Sequence, residues 1–104
     1  MRWSAVAAMA NARDSHSATL LAGGQVLVAG GRDRTHALTS AERYDPSSNR
    51  WTDAGSLASA RWLHTAVSLP GGQVLVTGGK GDVNPIASAE RYDPAVNIWT
   101  AGSP

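Results

Sequence analysis

Ser40-Ala41-Glu42-Arg43-Tyr44-Asp45-Pro46 occurs a second time, letter for letter, as Ser88-Ala89-Glu90-Arg91-Tyr92-Asp93-Pro94. The displacement is 48 residues, and it holds outward in both directions. Gly30-Gly31 returns as Gly78-Gly79, Trp51-Thr52 as Trp99-Thr100, and Arg13 and His16 as Arg61 and His64. A fixed period of this length is the signature of a repeat architecture, in which each unit hides its apolar surface against the next.

Within one period, four short apolar pieces are separated by turn residues, which predicts a four-stranded antiparallel sheet. The first piece is His16 to Leu21, matched by His64 to Leu69. Ala22-Gly23-Gly24 and Pro70-Gly71-Gly72 follow as hairpin turns, where glycine supplies the positive φ. The second piece, Gln25 to Ala29 or Gln73 to Thr77, barely alternates and is expected to be covered on both faces. In the third, period two puts Ser40, Glu42 and Tyr44 on one face and Ala41 and Arg43 on the other. Asp45-Pro46 starts the next turn, and the fourth piece surrounds Trp51 or Trp99. Arg2-Trp3-Ser4 is a third copy of that last piece, 48 residues before Trp51. The chain therefore divides into a leading strand over 1–8 and two whole units over 9–56 and 57–104. No useful helical periodicity occurs.

The composition narrows the chemistry. There is no cysteine, hence no disulfide, thiolate nucleophile or thiolate metal ligand. That suits a cytosolic setting without excluding secretion. A net charge of +1 leaves no electrostatic footprint for nucleic acid or an acidic membrane. No apolar run approaches the roughly 18 residues of a helical span, and the alanine-rich start is too weak for a secretory leader.

These landmarks resemble the Kelch repeat of β-propellers. The resemblance rests on Arg13, His16, Gly30, Gly31, Tyr44, Asp45 and Trp51, then on Arg61, His64, Gly78, Gly79, Tyr92, Asp93 and Trp99. It covers nearly the whole chain, twice in register, and is closer in style to bacterial members of the family than to animal ones. It implies an all-β fold of two four-stranded blades. In each, the first strand lies nearest a central channel and the tryptophan strand lies outermost. Propellers close with about four to eight blades, so two blades correspond to a fragment or to an engineered partial propeller. Two outer blade faces left wet would forgo more transfer free energy than the about 5–15 kcal/mol that stabilises a whole domain. The chain is therefore expected to complete a propeller with copies of itself. Three chains would give six blades; two or four chains, giving four or eight, are the other closures.

Recurrence assigns most of the marked residues to structure. Arg13, His16, Arg61 and His64 are expected to hydrogen-bond between blades, with Glu42 and Glu90 as partners of the arginines. Tyr44, Trp51, Tyr92 and Trp99 are expected to pack between blades or on the outer strand. The places where the repeats disagree point elsewhere. Arg32-Asp33-Arg34-Thr35-His36-Ala37 answers to Lys80-Gly81-Asp82-Val83-Asn84-Pro85, and Asp14-Ser15 answers to Trp62-Leu63. Both segments follow even-numbered strands and so fall on one face, as variable loops on a rigid scaffold. Arg32, Arg34, His36, Trp62, Lys80 and Asp82 are the candidate contacts for a protein or glycan ligand.

Catalytic and cofactor readings find little purchase. The copper radical oxidases that some related propellers resemble need a cysteine linked to tyrosine, and this chain has none. There is no Gly-x-Ser-x-Gly elbow. Gly78-Gly79-Lys80-Gly81 lacks the earlier glycine and the Ser/Thr of a phosphate loop. Asp14, Asp33 and Asp82 are the only acids of the variable loops and do not recur together. The expected function is thus non-enzymatic, without cofactor or metal: self-assembly and ligand display. The alternative is a fragment of a larger propeller enzyme or lectin acting on sugars.

Overall fold

Four features of each repeat decide its strands: a diglycine hairpin, a β-branched run, a second diglycine and an Asp-Pro turn. A computed structural model describes residues 7–101. The elements are β1 (Ser17–Leu20), β2 (Val26–Ala29), β3 (Ser40–Asp45), β4 (Arg50–Ser56), β5 (Thr65–Ser68), β6 (Val74–Thr77), β7 (Ala89–Asp93) and β8 (Ile98–Ala101). They form two four-stranded sheets, β1-β2-β3-β4 and β5-β6-β7-β8. Every pairing is antiparallel, and the two registers agree: Ala18 faces Val28 as Ala66 faces Val76, and Tyr44 faces Trp51 as Tyr92 faces Trp99. The expected leading strand at Trp3 lies outside the described residues.

The turns follow from side-chain chemistry. Asp45 Oδ1 accepts from the Ser47 amide at 3.0 Å, and Asp93 Oδ1 accepts from the Ala95 amide at 3.0 Å. These aspartate turns hand the chain to Asn49 and Asn97, both left-handed at φ 54° and 57°, a conformation asparagine tolerates well. Each asparagine carbonyl then accepts from a tyrosine hydroxyl, Tyr44 at 2.8 Å and Tyr92 at 2.6 Å. Each tyrosine ring also packs on its cross-strand tryptophan, with centroids 5.0 Å apart. One face of the third strand is thereby locked to the fourth.

Strand alternation sorts side chains between the two sides of each sheet. Leu27, Ala29 and Ala41 of the first sheet meet Val74, Val76 and Tyr92 of the second, with Leu21 and Ala54 completing the core. Three alanines in that set leave room for the second sheet to come close. Val74, Val76 and Tyr92 are almost completely buried as a result. The expectation that the second strand of each repeat is covered on both faces holds for the first copy only. In β2, Leu27, Val28 and Ala29 are all buried, because residues 7–13 run over the far side of the first sheet. In β6, burial alternates, and Leu75 and Thr77 on the far side are only half-buried.

Candidate functional site

Two buried ion pairs fix the approach to each blade. Arg13 pairs with Glu42 at 2.9 Å, and Arg61 with Glu90 at 2.9 Å; the arginine side chains have no solvent exposure. The pattern of bonds is the same 48 residues on. Arg61 Nη1 donates to the Gly78 and Ser88 carbonyls at 3.0 and 2.8 Å, and Nη2 to Ser88 Oγ at 3.0 Å. Glu90 accepts the Ala58 and Ser59 amides at 2.6 and 3.2 Å, as Glu42 accepts those of Ala10 and Asn11. The glutamate thus collects amides from the segment entering the blade, and the arginine clamps that segment to the second and third strands. A buried charge pair is tolerable only when further hydrogen bonds satisfy both ends. Here both carboxylates and the Nη atoms of both arginines are bonded, while Nε of Arg13 and of Arg61 is buried without a partner.

The arginine side chains bond within their own repeat, where the sequence suggested bonding between blades. The contact across blades is made by the Arg61 backbone, whose carbonyl accepts from the Gly31 amide at 2.8 Å. Gly30, with φ 63°, is needed for this approach, and Gly31, with φ 92°, for the close packing of its own blade's entering segment. A Cβ at Gly30 would stand 2.6 Å from the Arg61 carbonyl oxygen, and one at Gly31 2.5 Å from that of Asp14. The histidines sit beside these pairs. His64 Nε2 lies 2.9 Å from Ser17 Oγ of the preceding blade. Burial, reinforced by the Arg61 charge, holds its pKa below the ordinary imidazole value, and burial with Arg13 does the same for His16.

Arg43 makes a further cross-blade anchor. Its Nη1 donates to Tyr92 Oη at 2.9 Å and to the Pro94 carbonyl at 3.0 Å. Sequence reasoning gave it a face of the strand and no role. Its signal was present in the repeated run, since Arg91, Tyr44 and Pro46 return the same three residue types.

The variable loops meet on one rim. Isolated bridges join Asp14 to Arg32 and Trp62 to Lys80, so each inter-blade segment lies beside the loop that follows the second strand of its own blade. Trp62 is the centre of this rim. The Arg32 guanidinium carbon of the preceding blade is 4.6 Å from its ring centroid, and Lys80 Nζ is 5.5 Å away, both within cation–π range. Its indole N–H donates to the Gly81 carbonyl at 3.2 Å. Asp82 crosses to the first blade, where its Oδ1 accepts the Ala37 amide at 2.6 Å.

The other candidates are arranged differently. Asp33 Oδ1 accepts the Thr35 and His36 amides, each at 2.8 Å. These bonds hold its carboxyl below the usual range. His36 Nδ1 lies 2.8 Å from Thr35 Oγ1, so this ring is engaged with its own turn. Arg34 is exposed and lines a shallow depression with Arg32, Asp33, Asp14, Arg13 and Ala12. The structure therefore brings Arg32, Trp62 and Lys80 together, bonds Asp82 across to Ala37, and leaves Arg34 and His36 on the first blade's own loop. Among the described residues, no three His, Cys, Asp or Glu side chains are grouped as metal ligands. No helix among them is long and apolar enough to cross a membrane.

Comparison with curated proteins finds no match to this chain. A family model for the Kelch motif matches it twice, over residues 15–58 and 61–104. Those spans carry the diglycines, the Tyr-Asp pairs and the tryptophans of both sheets, and the two meanders have the four-stranded form of propeller blades. The chain belongs to the Kelch family.

Proposed function

We propose that this Kelch module closes into a symmetric β-propeller with copies of itself, three chains supplying six blades. It presents the rim of Arg32, Arg34, His36, Trp62, Lys80 and Asp82 to a protein or glycan ligand, and is not an enzyme. The observation that carries this reading is the state of the outer blade faces. Arg91 is exposed, although its equivalent Arg43 is bonded to Tyr92 and Pro94 of the next blade. At the other end, Tyr44 and Pro46 are the equivalents of Tyr92 and Pro94 and face away from the second blade. Each outer face carries the half of a blade contact that the other lacks.

Glycine geometry supports the same reading. A Cβ at Gly30 would collide with the next blade, whereas the equivalent Gly78 has the Ile86 carbonyl at 3.6 Å as its nearest neighbour. Its left-handed φ of 66° is retained, so the backbone is shaped for a blade that has yet to arrive. Contacts that join unlike surfaces close into rings when the rotation between copies fits. The ligand face follows from the rim, where two cations flank one exposed-edged indole. A sugar-processing site is poorly supported, because Asp33 and Asp82 already accept backbone amides. Light scattering behind a sizing column tests the assembly. A mass near three times 10.8 kDa is expected; a folded monomer at all concentrations refutes it.

A further inference from the structure

Superimposing one blade contact on the next by the 48-residue shift pairs residues across the seam, and many of the contacts are kept. Arg43 with Tyr92 and Pro94 becomes Arg91 with Tyr44 and Pro46 of the following copy. Ser17 with His64 becomes Thr65 with His16, which preserves a hydroxyl beside the imidazole. The Gly31 amide on the Arg61 carbonyl becomes the Gly79 amide on that of Arg13.

Elsewhere the Ser68 hydroxyl on the Leu20 carbonyl loses its donor to a leucine. The Trp51 N–H, counterpart of the Trp99 N–H on the Ala54 carbonyl, is already bonded to the Ala7 carbonyl of its own chain. Two loop contacts change on both sides together. Inside the chain, the Ala37 amide donates to Asp82. At the seam their places are taken by Pro85, which has no N–H, and Arg34, which has no acceptor. The loss of the donor is matched by the loss of the acceptor. Inside the chain, Arg32 lies over Trp62 of the next blade. At the seam the corresponding residues are Lys80 and Asp14, both exposed in the single chain. A cation facing an aromatic ring is replaced by a cation facing a carboxylate.

Resting on the self-assembly reading above, we infer that the surface joining copies is a head-to-tail seam whose rim is an ion pair between Lys80 of one copy and Asp14 of the next. The partner of this surface is a second copy of this chain. The ionic rim gives the seam a direction, since head-to-head docking would set Asp14 against Asp14 and tail-to-tail docking Lys80 against Lys80. It also makes the joint between chains salt-dependent, while the cation–π joint within each chain is formed by covalently tethered blades.

Charge reversal tests this by analytical ultracentrifugation at 20 to 500 mM salt, on wild type, Asp14→Lys, Lys80→Asp and the double variant. Each single reversal puts like charges at the seam and is expected to weaken association about tenfold per seam at low salt. The double variant restores the pair with its sign inverted, so it should recover wild-type association, and circular dichroism of the singles checks that they are folded. Raising the salt should narrow the gap between singles and wild type. Wild type that assembles while both singles assemble equally well overturns the ionic seam and leaves self-assembly standing. Wild type that stays monomeric at every salt overturns self-assembly, and the seam falls with it.

Discussion

Replacing Arg61 by methionine keeps the aliphatic stem and deletes the guanidinium. The structure sets what is lost. Four hydrogen bonds disappear, to the Gly78 and Ser88 carbonyls, Ser88 Oγ and Glu90. Glu90 stays buried with its two amide donors as the only compensation for its charge. Removing one member of a buried ion pair costs about 3–5 kcal/mol, chiefly because the other charge is left uncompensated. That is a large share of the about 5–15 kcal/mol expected for the whole fold. With a urea slope of about 2 kcal/mol/M, the midpoint should fall by about 2 M. Glu90→Leu in the same background should be much less than additive, since the second change removes the stranded charge. The assay is urea unfolding followed by circular dichroism at one fixed protein concentration, because association with copies adds to apparent stability. An Arg61→Met cost below about 1 kcal/mol, or strict additivity with Glu90→Leu, would refute the view that a buried pair holds the entering segment to its blade.

The pH dependence has a definite sign. His64 and His16 have pKa values below the ordinary 6.5 in the folded chain, so the unfolded chain binds more protons just below pH 6.5. Their contribution should be fully present above pH 6.5 and be lost as pH falls from there through the lowered folded values. Thermal melts of His64→Gln should show a shallower decline in that window than wild type, and an identical slope would count against the assignment. Gly30→Ala should be severely destabilising, because its Cβ meets the Arg61 carbonyl at 2.6 Å and His64 Cε1 at 2.9 Å. Gly78→Ala should cost the single chain only the left-handed backbone penalty of about 1–2 kcal/mol, while reducing its association measured by light scattering; equal costs at the two glycines would show that the approach of the next blade is not what separates them.

The strands were legible because each is bounded by residues with only a few conformational uses. Diglycines and Asp-led turns fixed where the chain reverses, and period two within Ser40–Asp45 placed Glu42 and Arg43 on opposite faces. That alternation cannot say which neighbour a face will meet. Arg43 and Arg91 are identical in local sequence, yet one reaches Tyr92 and the other is exposed. The difference comes from position in the array rather than from the residue. The same reason explains why Leu27 is buried and Leu75 is not fully so. The direction of the arginine side chains was also hidden. Their partners lie 17 and 27 residues away in the same blade, and spacing alone could not distinguish those carbonyls from ones in the next blade. The grouping of Arg32, Lys80 and Trp62 depended on bridges formed by single residues outside the strands, for which no periodic pattern exists.

Each strand pairs only with the strand next to it in sequence. Among the described residues, no side-chain hydrogen bond reaches farther than the 51 residues between Arg43 and Pro94. Loop closure is therefore cheap at every step, and β-sheet formation is spared the long searches that slow most all-β folds. Folding can begin in either meander and spread to the other through the Leu57–Arg61 segment, whose amides dock on Thr39 and Leu38. A lesion in one blade should raise the unfolding rate of that blade first, and hydrogen exchange should divide the chain near residue 57 into two separately protected units.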